Sequence, residues 1–138
     1  MTEAIDMVAD LLDANWNTSN IAKPVMKKYW EVRLPNVLNT TFVLFYETLR
    51  NTELTTLDLG LRTDTYLLRV EILGKARSTV LATIEEIRRI LEANRFPTSS
   101  EWYYIIIKRR TDLSNPEKPM YRFVLDIEVL ATPTVVSA

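Results

Sequence analysis

Five carboxylates, Asp58, Asp64, Glu71, Asp126 and Glu128, are the side chains of this chain with the types and spacing to do chemistry. Asp126 and Glu128 stand at i and i+2, so on a strand they share one face, as an acid–base pair or a hard-cation site would require. Arg69 and Glu71 repeat that spacing. Outward residues of a half-exposed sheet, satisfied by cross-strand Arg–carboxylate pairs, look the same, and this is the preferred reading. Nothing else completes a site. The 138 residues include no histidine and no cysteine, and the only glycines are Gly60 and Gly74. Imidazole bases, thiolate nucleophiles, soft metal ligands and phosphate-cradling glycine loops are thereby removed. As nucleophiles Ser78, Ser99 and Ser100 would need activation by a lysine or a carboxylate; the first is explained by a helix start and the others by a loop. No catalytic, cofactor-binding or metal-binding residue is assigned, and no cofactor is expected.

Two charged features are candidates for subunit contacts. Lys108-Arg109-Arg110 is the one basic run, placed where a strand enters a hairpin loop. With Tyr103 and Tyr104 beside it, a stacking platform for single-stranded nucleic acid is conceivable. Adjacent tyrosines on a strand point to opposite faces, however, and the glycines and flanking aromatics of RNP-type sheets are missing. A solvated hairpin base or a subunit contact is the better reading. The second feature is an acidic stripe, Glu3, Asp6, Asp10 and Asp13, on the polar face of the first helix with no compensating lysine in that helix. It reads as a solvated face, with a docking edge for a basic partner as the alternative. Lys and Arg total 17 against 18 for Asp and Glu, a net charge of -1, so there is no overall basic excess for nucleic acid and no sequence-specific binding is expected.

The remaining composition is that of a globular chain, 47% hydrophobic and 25% charged, long enough to bury a core without disulfides. No apolar run approaches a bilayer span, and the acidic N-terminus does not resemble a signal peptide. The Asn17-Thr18-Ser19 and Asn39-Thr40-Thr41 triplets are read as chance matches to a glycosylation pattern. A soluble protein made in a cytoplasm is expected.

Positioning falls to a regular set of elements. Residues 2–15 carry Ile5, Val8, Ala9, Leu12 and Trp16 on one helical face, with Thr2 available as a cap. The stretch 17–41, broken by Pro24 and Pro35, reads as an irregular interaction loop holding a short strand over 28–33. Strands follow at 42–48, with Val43 and Phe45 opposite Phe42, Leu44 and Tyr46; at 54–61, with Gly60 as a bulge or a close approach; and at 64–73, with Tyr66, Leu68, Val70 and Ile72 inward. A helix over 77–94 shows the stripe Val80, Ile84, Ile87 and Leu91, with Glu85–Arg89 and Arg88–Glu92 as i,i+4 pairs. In the strand at 101–109, Trp102, Tyr104 and Ile106 oppose Tyr103, Ile105 and Ile107. In the last strand, 121–130, Tyr121, Phe123, Leu125, Ile127 and Val129 face the core. Residues 131–138 form a C-terminal arm. The expectation is one α+β domain over 1–138. It is a two-layer sandwich of two helices on a mainly antiparallel sheet of four to five strands, in the order α-β-β-β-α-β-β.

That order resembles the tail terminator (tail completion) proteins of long-tailed phages. The resemblance rests on the leading amphipathic helix, the strand Tyr66-Leu67-Leu68-Arg69-Val70-Glu71-Ile72, the covering helix from Ser78 to Asn94, and the strand opened by Trp102-Tyr103-Tyr104. It implies a non-enzymatic virion protein, assembled in the host cytoplasm, that forms a homo-oligomeric ring, usually of six copies. The ring would sit at the head-proximal end of the tail, contacting the tail tube protein and the head connector. Heterologous ring contacts need two complementary patches, and Asp6, Asp10 and Asp13 against Lys108, Arg109 and Arg110 are one such pair. A ferredoxin-like adaptor or regulatory subunit is the alternative.

Overall fold

The structure, a computed structural model, describes residues 3–28, 41–56, 61–97, 101–114 and 120–135. In chain order the elements are α1 (Ala4–Asn15), β1 (Val25–Lys28), β2 (Phe42–Thr56), β3 (Leu61–Gly74), α2 (Arg77–Ala93), β4 (Trp102–Asp112), β5 (Tyr121–Ala131) and β6 (Thr134–Val135). The sheet runs β1-β2-β3-β5-β4. It is mixed: β1 lies parallel to β2, and the other pairings are antiparallel. β6 continues the lane of β5, pairing Leu61 and Arg62 of β3 beyond the end of the β5 ladder. The connection β3-α2-β4 is split, because β5 inserts between β3 and β4. This is the α+β sandwich expected from the sequence.

Both helices cover one face of the sheet. Val43 and Phe45 of β2, Tyr66, Leu68, Val70 and Ile72 of β3, and Phe123, Leu125, Ile127 and Val129 of β5 alternate inward and meet Ile5, Val8 and Leu12 of α1 and Val80, Ile84, Ile87 and Leu91 of α2 in one core. The period of two on the strands and 3.6 on the helices is what lets a flat face and a stripe close on each other. Tyr66 and Trp102 meet edge to face with centroids 5.6 Å apart. Gly74 ends β3 for a steric reason, since a Cβ there would lie 2.5 Å from Val80 Cγ2 of the incoming helix. Asn94 closes α2, its backbone N–H and its Nδ2 both donating to the Ile90 carbonyl.

Several expectations are corrected. The predicted strands at 42–48 and 54–61 are not separate: β2 runs through to Thr56, and Leu61 opens β3. Residues 57–60, including Gly60, lie outside the described residues. Pairing partners decide this, because Glu47 to Thr56 stay in register with Leu68 to Leu61 through two irregularities. A short strand is found at Val25–Lys28; of the strand expected over 28–33 only Lys28 is described, and residues 29–33 lie outside the described set. Glu3 takes the N-cap position of α1, without a side-chain cap bond, while Thr2 lies outside the described residues. The Glu85–Arg89 pair is absent, since Arg89 turns to Glu86 and Glu85 faces Arg110. The alternation of β4 breaks at a register shift between Trp102 and Tyr104. An extra residue on one strand advances every later side chain by one face. Trp102 therefore joins Ile105 and Ile107 against the core, not Tyr104 and Ile106. Part of the C-terminal arm is the strand β6; residues 136–138 lie outside the described set.

Candidate interaction surface

The face of the sheet away from the helices carries the polar side chains of four strands in register. Tyr46 of β2 stands opposite Arg69 of β3, Arg69 opposite Asp126 of β5, and Asp126 opposite Arg109 of β4. Asp126 accepts from Arg69 Nε on Oδ1 and from Arg109 Nε on Oδ2, both at 3.1 Å, so one carboxylate bridges two guanidinium groups. One step along, Glu71 is buried and accepts from Arg122 and from the Tyr46 hydroxyl. On the other side, Glu128 accepts a 2.8 Å bond from the Tyr104 hydroxyl and lies 3.9 Å from Lys108 Nζ. These bonds give Arg69, Glu71, Asp126 and Glu128 the cross-strand partners expected of them, each carboxylate accepting from cations or phenols on neighbouring strands. Among the described residues no group of three or more acidic side chains is poised for a metal ion. Asp64 lies on the helix side and accepts from Thr52 Oγ1 at 2.6 Å and from Arg62 Nε at 3.2 Å. Burial opposes its charge, yet these hydrogen bonds hold its carboxyl below the ordinary value. Asp58, Ser99 and Ser100 fall outside the described residues, and Ser78 is exposed in the first turn of α2.

Tyr46 and Tyr104 are both pushed above the ordinary phenol value, first by burial and then by the carboxylates they touch, Glu71 and Glu128. The shift at position 103 also overturns the argument that Tyr103 and Tyr104 must face apart. Their rings lie 6.1 Å apart, and Tyr103 is exposed.

The basic run is not one patch. A second register shift, between Ile107 and Arg109, sends Arg109 to the open face with Asp126. Arg110 turns to the helix side, 5.2 Å over the Phe123 ring and 3.9 Å from Glu85. Lys108 reaches Glu128. The acidic stripe of α1 is compensated, but from outside its helix: Asp6 pairs with Lys28, Asp13 with Lys23, and Glu3 with Arg50 at 3.9 Å. Asp10 is exposed and has no ion pair among the described residues. The stripe and the basic run lie towards opposite sides of the sheet, since α1 packs on β2 and β3 whereas β4 is the far edge strand.

One buried carboxylate was not picked out by pattern. Glu86 of α2 is 2% exposed and accepts from Arg89 Nε at 2.6 Å, from Arg89 Nη2 at 2.9 Å, from the Asn17 backbone N–H at 2.7 Å and from Asn20 Nδ2 at 2.9 Å. Arg89 Nη2 also donates to the Asn15 carbonyl at 3.0 Å. The Arg89 bonds come first in holding Glu86 down to about 2. This latch fixes the end of α1 and the turn that opens the 17–41 segment. Its sequence signal was a carboxylate flanking an apolar stripe, four residues before Ile90.

Taken as a class, the molecule is a two-layer α+β sandwich with one helix-covered face and one charged open face. No protein-family model matches the sequence, and no curated protein matches it. Among solved structures, one chain of the virion of a native gene transfer agent particle shares the fold. The TM-score is 0.65 at 13% identity, and the match covers 94% of this chain and 98% of that one. Among the described residues, no helix is long and apolar enough to cross a membrane.

Proposed function

We propose that this protein is a non-enzymatic virion assembly protein that closes into a ring, a homohexamer, at the head-proximal end of a tail tube. In that role it ends tube polymerisation and meets the head connector, and its location is the neck of the virion. The observation that carries the reading is the end-to-end likeness to a chain of the gene transfer agent virion, which leaves almost no part of either chain unmatched. The element order expected from the tail terminator resemblance adds to it.

Ring closure needs two different surfaces on each copy, placed so that one copy's first surface meets the next copy's second. The acidic outer face of α1 and the β4 edge meet that geometric demand, lying towards opposite sides of the sheet. Asp10 is the acid best placed to act between copies, because Asp6 and Asp13 already hold Lys28 and Lys23. On the β4 edge the corresponding residue is Arg109, whose side chain is 69% exposed despite its bond to Asp126.

Native mass spectrometry over a concentration series, alone and with the tail tube protein, is the test. A closed assembly of six is expected, with Asp10→Lys or Arg109→Glu dispersing it and both together restoring it in part. A strict monomer under both conditions overturns the ring.

A further inference from the structure

The three carboxylates of the open face are recessed and their cations are not. Side-chain exposure is 11% for Glu71, 21% for Asp126 and 20% for Glu128, against 40% for Arg122, 35% for Arg69, 54% for Lys108 and 69% for Arg109. Among the described side chains of this face the acids form an inner layer and the cations an outer one, four against three. Lys27 adds a further cation at the register position of Leu44 on the same face. Among the described side chains of this face, the outermost charged groups are thus cations. Arg69 and Arg109 bond Asp126 through Nε, and Arg69 also hydrogen-bonds Tyr46. Both arginines line a depression of about 430 Å³ with Thr48, Leu67 and Lys108. Tyr104 converges on Glu128 with Lys108, and the exposed Tyr103 ring lies beside Tyr104.

We infer that the open sheet face is a nucleic-acid contact surface that takes the phosphodiester backbone without reading sequence. Cations spread from β3 to β4 suit a line of charges better than one compact anion. Such a layer supplies affinity by neutralising phosphates and displacing their counterions, and carries no base-specific information. The exposed Tyr103 adds a ring on which an unpaired base can stack. The inference rests on the ring reading only for where the open face would meet nucleic acid; binding itself does not depend on ring closure.

The test is fluorescence anisotropy of the full chain with a labelled 20-base-pair duplex and with a 20-nucleotide single strand, each from 50 to 200 mM NaCl. The oligomeric state is measured on the same samples. If two phosphates are neutralised per copy, the log–log salt slope is about -1.8 on duplex, a loss of roughly twelvefold across that range. Lys27→Gln with Lys108→Gln should lower affinity and flatten the slope, leaving Arg69 and Arg109 on Asp126. Arg88→Gln, an equal exposed charge change per site on the helix layer, should alter neither slope nor affinity comparably. Tighter binding of the single strand, lost in Tyr103→Ala, assigns the unpaired form; equal binding assigns the backbone alone. Absence of salt-dependent binding to both probes, or equal loss in Arg88→Gln, overturns the inference. A six-copy ring without binding leaves the ring reading standing, whereas binding by a monomer leaves this inference standing without it.

Discussion

Replacing Glu86 by glutamine tests whether the buried latch between α1 and α2 is a charge effect. Its carboxyl lies at about 2 in the fold against 4.5 for the unperturbed group. At 1.36 kcal/mol per pKa unit, that difference sets a ceiling of about 3 kcal/mol on the ionised form's advantage. Arg89 is half exposed and partly screened by water, so about 2 kcal/mol is the working figure. The folded value lies below the unfolded one, so the contribution is fully present above about pH 4.5 and is lost as pH falls towards 2. Glutamine keeps the shape and loses the charge. At pH 7 the variant should melt roughly 8 °C below wild type, taking about 4 °C per kcal/mol for a chain of this size. The assay is thermal unfolding followed by circular dichroism at pH 7, 5, 4 and 3. By pH 3 the gap should have shrunk to less than half. A gap that holds constant from pH 7 to 3 would refute the reasoning, because the loss would then lie in hydrogen-bond geometry and not in ionisation.

Other outcomes follow from single contacts. Gly74→Ala should cost about 1–3 kcal/mol in urea unfolding through its clash with Val80 Cγ2, and adding Val80→Ala should make the pair less costly than the sum of the two single changes. Trp102→Ala removes a buried ring packed on Tyr66 and should lose about 3–5 kcal/mol by the same measurement; a loss under 1 kcal/mol would contradict its place in the core. In a spectrophotometric titration above pH 9, Tyr46→Phe and Tyr104→Phe should each remove a transition lying above the ordinary phenol value. Because the folded values are raised, these two groups stabilise the fold below about pH 10 and lose that contribution as pH rises further.

Much of this architecture is written in local periodicity. Tyr66, Leu68, Val70 and Ile72 alternate, Val80, Ile84, Ile87 and Leu91 repeat at helical spacing, and both sets are buried. A side chain's direction there follows from its own backbone, so neighbours in sequence suffice to place it. The alternation of Arg69 with Glu71 and of Asp126 with Glu128 likewise placed these four on the open face, together with the class of partner each would take.

What the chain order could not carry is whatever depends on pairing partners. The merger of two expected strands into β2 is set by the β3 ladder, and the two register shifts in β4 are defined only against β5. Those shifts moved Trp102 into the core and divided Lys108, Arg109 and Arg110 between two sides of the sheet. The acidic stripe of α1 looked unbalanced because Lys23, Lys28 and Arg50 reach it from other elements. Glu86 looked like one more polar helix residue, because its Asn17 and Asn20 partners lie 69 and 66 positions away in sequence. Composition and spacing thus determined the layers and the shortage of catalytic side chains. Tertiary pairing decided which charges are spent inside the fold and which are turned outward, since Coulomb and hydrogen-bond partners are chosen by distance in space.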